Sequence, residues 1–412
     1  VSADSMPVDW DKARSLAYEA GRAAAGPVEQ MPLAGADGRT LAEPLVAVTD
    51  LPAFPTSSID GWAVRGPGPW RPVGRVLAGN TAEPLIEDGT CVEIATGAMV
   101  PAGAAAVIRV EESTRDAQGL VSGAPRPQPE WRLPGDEARR GEELLPAGTP
   151  VDPAVLGMAA TCGYDTIPVR PRPRAALLVF GDELLTSGPP GDGRVRDSLS
   201  PLVPAWLRRY GATVDPAAVQ GPVQDTLEAH VEAIERGLAM ADVVCTTGGT
   251  MHGPVDHLHP ALSRLNAEYV VNTVAVRPGF PMLLARVPGP GGPKFLAGLP
   301  GNPQSAVIAL VSLVAPLLAG LHGRDLPALP RVELTAPVPG RGGFTHLALA
   351  ALDADGRRAT PAGHVGSSML RGLARSHGFV VVRPAGHAEA GGAAAGDLVP
   401  FLPLPLFSGE RS

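Results

Sequence analysis

Lys294-Phe295-Leu296-Ala297-Gly298-Leu299-Pro300-Gly301-Asn302-Pro303-Gln304-Ser305-Ala306 is the stretch that decides the fold. A short apolar run ends in a Gly/Pro turn, and a long apolar segment of helical character follows at once. Such a junction aims backbone N–H groups at a point just past a strand end, a place for an anion and usually a phosphate. Two upstream junctions are built alike. Leu177-Leu178-Val179-Phe180 runs into Gly181-Asp182-Glu183, and Val243-Val244-Cys245 runs into Thr246-Thr247-Gly248-Gly249-Thr250. Three such junctions in one parallel sheet put their turns on the same edge, where open α/β sheets bind ligands.

Around these junctions, residues 174–323 form the clearest domain. A strand at 175–180 precedes a Gly/Pro-rich loop at 187–193, and Asp197 or Ser198 caps a helix ending before Gly211. A strand near 213–219, a helix from Asp225 to Met240, a strand at 242–246 and a helix at 256–265 follow. The strand 294–298 and the helix 303–321 close a βαβα alternation that predicts a doubly wound sheet. Upstream, residues 8–25 read as a helix with Ala13, Leu16, Ala17 and Ala20 on one face. Residues 31–50 read as short strands and turns. Residues 51–138 are turn-rich, with a strand-like piece from Ala105 to Val110 and a surface hairpin or loop in 113–130. Alternating prolines from Pro168 to Pro173 make a stiff linker. After Pro327 the pattern changes to short strands, Val332–Leu334, Leu347–Leu349, Phe379–Val382 and Leu398 to Leu406, which predict a small β-barrel.

Composition sets the limits. A chain of 412 residues exceeds one compact core. Its 50 Gly and 46 Pro, about twice a typical share, favour short elements and many turns over long bundles. Lys12 and Lys294 are the only lysines, so the arginine richness, with the Ala/Gly/Pro excess, reflects a GC-rich genome and not nucleic-acid binding. A net charge of −8 argues the same way. Cys91, Cys162 and Cys245 are far apart, which disfavours a zinc or disulfide framework. Val1 to Trp10 has neither a basic start nor an apolar core, so no signal peptide is expected. The most apolar run, 306–321, reads as a buried helix. A cytoplasmic protein is the expectation.

Several residue groups could carry chemistry. Gly181-Asp182-Glu183 lies at a strand end, where carboxylates suit a hard cation such as Mg²⁺ that bridges phosphate oxygens. Acids complementing a helix dipole are an equal alternative, and Asp225 shares the ambiguity. Thr247-Gly248-Gly249-Thr250 is a hydroxyl-bearing turn suited to phosphate, though a lone Gly-Gly turn is weak. His252, His257 and His259 read as ordinary polar histidines beside Asp256, because residues two apart on a helix do not share a face. Asp60-Gly61 reads by default as an Asx-turn, Thr96-Gly97 as turn chemistry, and Arg132 to Glu137 as a solvated charged loop. No serine-hydrolase elbow, P-loop or dinucleotide fingerprint is present.

Taken in order, the motifs resemble one family. Ser58-Ile59-Asp60-Gly61-Trp62-Ala63-Val64-Arg65 looks like that family's Ser-Ala-Met-Asp-Gly-Tyr-Ala motif. Ile94-Ala95-Thr96-Gly97-Ala98 and Pro101-x-Gly103-Ala104 follow, then Gly181-Asp182-Glu183-Leu184, Thr247-Gly248-Gly249 and Gly298-Leu299-Pro300-Gly301-Asn302-Pro303-x-Ser305-Ala306. The family is the molybdopterin molybdenumtransferases, the MoeA proteins and the E domain of gephyrin. No motif decides alone, but six in this order and spacing are highly specific, and they cover essentially the whole chain. The resemblance implies a multi-domain α/β plus β fold. Residues 1–50 with 139–171 would form an elongated domain I and 51–138 an inserted β-rich domain II. Residues 172–325 would be the doubly wound molybdopterin-binding domain III, and 326–412 a C-terminal β-barrel, domain IV.

The implied activity is insertion of molybdate into adenylylated molybdopterin, with Mg²⁺-dependent release of AMP, by a homodimer whose site involves domain II or IV of the partner. The molybdopterin adenylyltransferase and molybdoenzymes would be partners, with no nucleic acid or membrane involved. Motif match gives functional positions to Asp60, Thr96, Arg132, Glu137, Glu183, Asp225, Asp256, Pro300, Pro303 and Ser367, with Glu183 and Asp256 as metal ligands. Gly181, Asp182, Thr247, Gly248, Gly249, Thr250, Arg277, Gly301, Asn302 and Ser305 would bind substrate. The chain also departs from the family. Its acid pair runs Asp136-Glu137 in place of Glu-Asp. Three usual lysines become Thr273, Arg277 and Phe280, and a Ser and an acid after Gly-Gly become Met251, His252 and Pro254. Arg277 as a bidentate clamp and His252 as a donor would compensate in part. The rivals are a pterin-binding carrier or regulator that has lost turnover, and a scaffold of the same fold.

Overall fold

The computed structural model describes residues 6–251, 256–289, 291–384 and 391–405. The chain forms two compact units. One comprises Val1–Glu29, Gly38–Ala42 and Val169–Ser412, the other Gln30–Asp37 and Glu43–Pro168.

The larger unit is built on a six-stranded sheet. Its spatial order is Val219–Val223, Ala175–Phe180, Val243–Thr247, Gly292–Leu299, Leu283–Gly289 and Glu268–Val271. The first four strands run parallel, Leu283–Gly289 runs against them, and Glu268–Val271 pairs antiparallel with it. Every side chain of Ala175–Phe180 is buried, as expected of a strand covered on both faces. The period of two divides them. Leu177 and Val179 face the helices Trp10–Ala23, Leu199–Arg209 and Pro303–Leu321. Ala176, Leu178 and Phe180 face Leu227–Met240 and Leu258–Arg264. The sheet is therefore doubly wound.

The antiparallel pair at 268–289 was not expected from the sequence. Residues 272–282 join its two strands, and Leu283–Gly289 turns back at Gly289 into Gly292–Leu299, which leaves the junctions of the parallel strands on one edge. The strand expected near 213–219 lies later, at Val219–Val223. Asp215 Oδ1 accepts from Ala217 N–H at 2.8 Å and Pro216 has no donor, so a tight helical turn replaces the start of the ladder.

Pro303–Leu321 is long and apolar enough to cross a membrane by length and composition, but it is 94% buried in the protein. Sheet, first helix and barrel cover it from several sides, which an all-round apolar helix requires. A π-helical turn at Leu310–Val314 presents Ser312, whose Oγ accepts from Trp10 Nε1–H at 2.8 Å. Gly21 and Gly320 let the two helices approach. A Cβ on either would lie 2.1 Å from Leu317 O or 2.3 Å from Tyr18 O.

The C-terminal strands close a barrel in the cyclic order Thr345–Leu352, Arg358–Pro361, Arg331–Leu334, Leu398–Pro403, Gly378–Val382 and back to Thr345–Leu352. Closure removes free edges. Val332, Leu334, Ala350, Val380 and Phe401 fill it. Leu406, the expected end of the last strand, lies outside the described residues.

The smaller unit centres on a four-stranded sheet ordered Arg71–Val76, Thr90–Ile94, Gly61–Arg65, Ala106–Arg109. The hairpin expected within 113–130 is Ser113–Arg115 paired with Val121–Gly123.

Candidate active site

At the carboxyl edge of the six-stranded sheet, register decides which residues meet. Phe180 pairs with Val223, so the chain two residues further on brings Asp182 beside Asp225. Asp182 N–H donates to Asp225 Oδ2 at 3.3 Å. The helix is capped by the next residue, as Thr226 Oγ1 accepts from Ala229 N–H at 3.2 Å. Asp225 is thus turned toward the strand end and does not cap the helix. The dipole reading also fails for Glu183. Leu184–Leu185 pairs with Val195–Arg196, and no helix begins until Leu199. The exposed Glu183 carboxylate folds back over Gly181, whose φ of +136° favours glycine at this bend.

Two histidines flank Asp225. His257 Nε2 lies 3.1 Å from the Asp225 carbonyl, which can only accept, so Nε2 carries the proton. His230, wholly buried, stacks on Phe180 at 3.8 Å and places Nε2 3.6 Å from Asp225 Oδ1. Burial lowers the His230 pKa, against the opposing pull of Asp225. His259 Nδ1 lies 2.7 Å from Tyr269 Oη, a polar pairing away from Asp225. Asp256 is half-buried. Among the described residues no group of three or more His, Cys, Asp or Glu is arranged to hold a metal ion. The acids here offer only oxygen donors, the chemistry of a hard cation that takes its other ligands from phosphate and water. His252 and Pro254 lie outside the described residues.

The other two junctions meet beside these acids. Gly248 and Gly249 have φ of +85° and +67°, two successive left-handed residues that favour glycine. Gly248 N–H extends the ladder to Leu299 O at 2.9 Å, and a Cβ on Gly301 would stand 3.7 Å from Gly248 Cα. Thr247 and Thr250 are buried under the turn. The helix that starts at Pro303 corrects one expectation. Its first-turn amides do not face open space. Gln304 N–H and Ser305 N–H both donate to Ser367 O, at 2.9 and 3.3 Å, and Pro303 has no N–H. Ser367 therefore acts here through its carbonyl, as a cap supplied by a barrel loop. An anion at this edge is left the amides of Gly301 and Asn302, which donate to no described backbone group. Pro300 sits at the strand end that sets their direction.

Arg277 lies on the short strand Val276–Arg277, paired with Thr345 and His346 of the barrel. Its guanidinium stacks on Phe280 at 5.0 Å and Phe344 at 4.6 Å. It makes no ion pair with a described carboxylate, so a structural salt bridge is not its role. Phe280 supplies a face that orients the fork. Thr273 uses its carbonyl to accept Val8 N–H at 2.9 Å.

The smaller unit has its own constellation. The Asp60 carboxylate accepts from Thr96 N–H at 2.6 Å and Thr96 Oγ1–H at 3.0 Å. These bonds hold its pKa below the usual carboxylate range. The Asx-turn reading is replaced by a contact between distant residues, set by the pairing of Gly61 with Ile94. Gly61 has no substitute, since a Cβ would lie 1.9 Å from Ile108 O. Asp60 borders an open cleft of ≈ 270 Å³ lined also by Trp62, Arg75, Leu77, Glu93 and Val110. Arg132 is exposed on Trp131–Arg132, paired with Thr56–Ser57. Asp136 Oδ2 accepts from Leu133 N–H at 2.6 Å and holds its own turn, while exposed Glu137 makes no side-chain bond to a described residue.

Sequence reasoning missed His230 and Phe180, and it read His257 as an ordinary polar histidine, in keeping with its contact to the Asp225 carbonyl. The one signal was a histidine on the apolar face of Leu227–Met240, among Val231, Ala233 and Ile234.

An open α/β sheet whose strand-end turns gather acids and glycine amides defines a ligand-binding enzyme domain. The comparisons with known proteins narrow this class. Family models match residues 8–163 (MoeA N-terminal region, domains I and II), 176–320 (probable molybdopterin binding domain) and 331–404 (MoeA C-terminal region, domain IV). A molybdopterin molybdenumtransferase of Nostoc sp. is 32% identical over 308 residues, covering 72% of this chain and 70% of its own length. One of Staphylococcus aureus is 29% identical over 358 residues, covering 83% and 84%. The structure of a molybdopterin biosynthesis MoeA protein from Pyrococcus horikoshii has the same fold, with a TM-score of 0.78 at 23% identity over 97% of this chain and 99% of that one. The chain belongs to the MoeA family.

Proposed function

We propose that the chain is a molybdopterin molybdenumtransferase that inserts molybdate into adenylylated molybdopterin and releases AMP. It is a transferase of molybdenum cofactor biosynthesis, in line with its relatives. The observation that carries the finer reading is the meeting of Asp182 and Asp225 at the edge that also holds the Gly248 and Gly301 turns. That edge offers amides for phosphate oxygens beside acids for a hard cation.

Glu183 and Asp256 are the residues that would hold Mg²⁺. When bound, Mg²⁺ would neutralise charge on the phosphoanhydride. The turns after Thr247 and Pro300 bind and orient the phosphate. Asp225, tied to Asp182 N–H, keeps a fixed carboxylate against it. The Arg277 fork, stacked on two phenyl rings, presents N–H groups to an oxo-anion. Asp60, ionised and fixed by Thr96, is the corresponding acid of the smaller unit.

A second reading, a pterin-binding carrier without turnover, is favoured by Thr273 and Phe280, which cannot supply positive charge. Incubation with adenylylated molybdopterin, molybdate and Mg²⁺ tests both readings. Molybdate-dependent AMP release supports the transferase. Tight binding without release supports the carrier.

A further inference from the structure

Asp225 is gripped by Asp182 N–H at its carboxylate and by His257 Nε2–H at its carbonyl. The third neighbour is His230. Its side chain is 0% exposed, and neither ring nitrogen has a partner within hydrogen-bond distance among the described residues. A buried unpaired polar group is costly and calls for a reason. Packing alone gives none, because leucine would fill an apolar helix face without the penalty. The ring plane is held by its neighbours. Phe180 lies flat against it at 3.8 Å with an interplanar angle of 15°, and His257 meets it edge-on at 5.5 Å. Nε2 thus stays aimed at Asp225 Oδ1, 3.6 Å away, about half an ångström beyond a hydrogen bond. The Asp225 side chain, 20% exposed, is the member of the pair with room to move. Hydrogen bonds of this kind are often long in the free protein and tighten in the complex.

We propose that His230 is a positioning residue for Asp225, its Nε2–H fixing Oδ1 while Asp182 N–H fixes Oδ2. The inference rests on the reading of this edge as the reaction site. With both oxygens held, the carboxylate keeps one orientation toward ligand. With one held, it rotates.

Three variants test this: His230→Leu, which keeps bulk and removes the donor, His230→Gln, which keeps an N–H at similar reach, and Asp225→Asn. Thermal melting first confirms that each is folded. His230→Leu should lower kcat for AMP release roughly ten- to a hundredfold, the range of one or two hydrogen-bond increments, with KM little changed. His230→Gln should recover part of the loss. In the Asp225→Asn background, His230→Leu should have almost no further effect, because its effect passes through that carboxylate. Losses that multiply, or a His230→Gln variant no better than His230→Leu, would overturn the proposal.

A second arm needs no turnover. Heteronuclear NMR of the isotope-labelled rings of all nine histidines, with His230 assigned from the His230→Gln variant, reports its protonated nitrogen in the free protein. Asp225→Asn should shift the His230 Nε2 resonance and leave His322 and His346 in place. An unmoved His230 resonance overturns the inference. If the wild type releases no AMP, the proposed transferase reading falls and the ring resonance alone decides the role of His230.

Discussion

His322 makes the stability of the larger unit depend on pH over a defined window. The residue ends the Pro303–Leu321 helix and is 1% exposed. Burial first, then the Arg324 cation, push its pKa from 6.5 down to about 4, against an opposing pull from the Tyr210 backbone and with lesser help from Arg172 and Arg39. The unfolded chain therefore takes up this proton before the folded one does. The contribution of neutral His322 is complete above about pH 6.5, shrinks as pH falls, and is lost on reaching about 4. A difference of about 2.5 units is worth about 3 kcal/mol, with a slope of at most about 1.4 kcal/mol per pH unit. His230 and His346 are also lowered, so the wild-type slope contains more than one histidine. His322→Gln isolates the one of interest. Urea unfolding of wild type and variant should be followed by circular dichroism from pH 7 to pH 4. The stability gap should narrow in favour of the variant by about 3 kcal/mol between the two ends. Parallel curves would show that His322 titrates normally in the folded protein and refute the reasoning.

Other outcomes are as definite. Trp10→Phe removes the donor to buried Ser312 Oγ and should cost roughly 1–3 kcal/mol in urea unfolding, part of it regained by adding Ser312→Ala. Arg277→Ala should raise the molybdate concentration needed for half-maximal AMP release roughly ten- to a hundredfold, as expected for one charge-assisted contact. Arg277→Lys should recover only part, because an ammonium lacks the planar fork that stacks on Phe280 and Phe344. The protein should sediment as a stable homodimer at micromolar concentration, and a monomer there would remove the dimer from the account.

The architecture was readable where local chemistry and global packing agree. Ala175–Phe180 is apolar at every position and ends in glycine, and it is a central strand covered on both faces. Gly211, at φ +91°, stops its helix as a terminal glycine should. The antiparallel 268–289 pair was less visible, since Leu283–Val287 has no alternation once both faces are buried. The site was harder to read. The Asp60–Thr96 bond joins residues 36 apart and follows from the Gly61–Ile94 register, which no turn signal encodes. The helix amides after Asn302 looked open because their acceptor, Ser367 O, arrives from a distant barrel loop. His230 was hidden because polarity on a buried helix face reads as an interruption until its neighbours are known.

The central claim is transfer chemistry at the sheet edge, and single-turnover AMP release tests it most directly. Wild type and Glu183→Gln should be given adenylylated molybdopterin, Mg²⁺ and increasing molybdate. The wild type should release AMP in proportion to the molybdopterin bound and only when molybdate is present. Glu183→Gln, equal in volume and thermal stability, should bind the nucleotide but lose release as metal affinity falls. Release by the variant at the wild-type rate, or none by the wild type that binds substrate, would contradict the account.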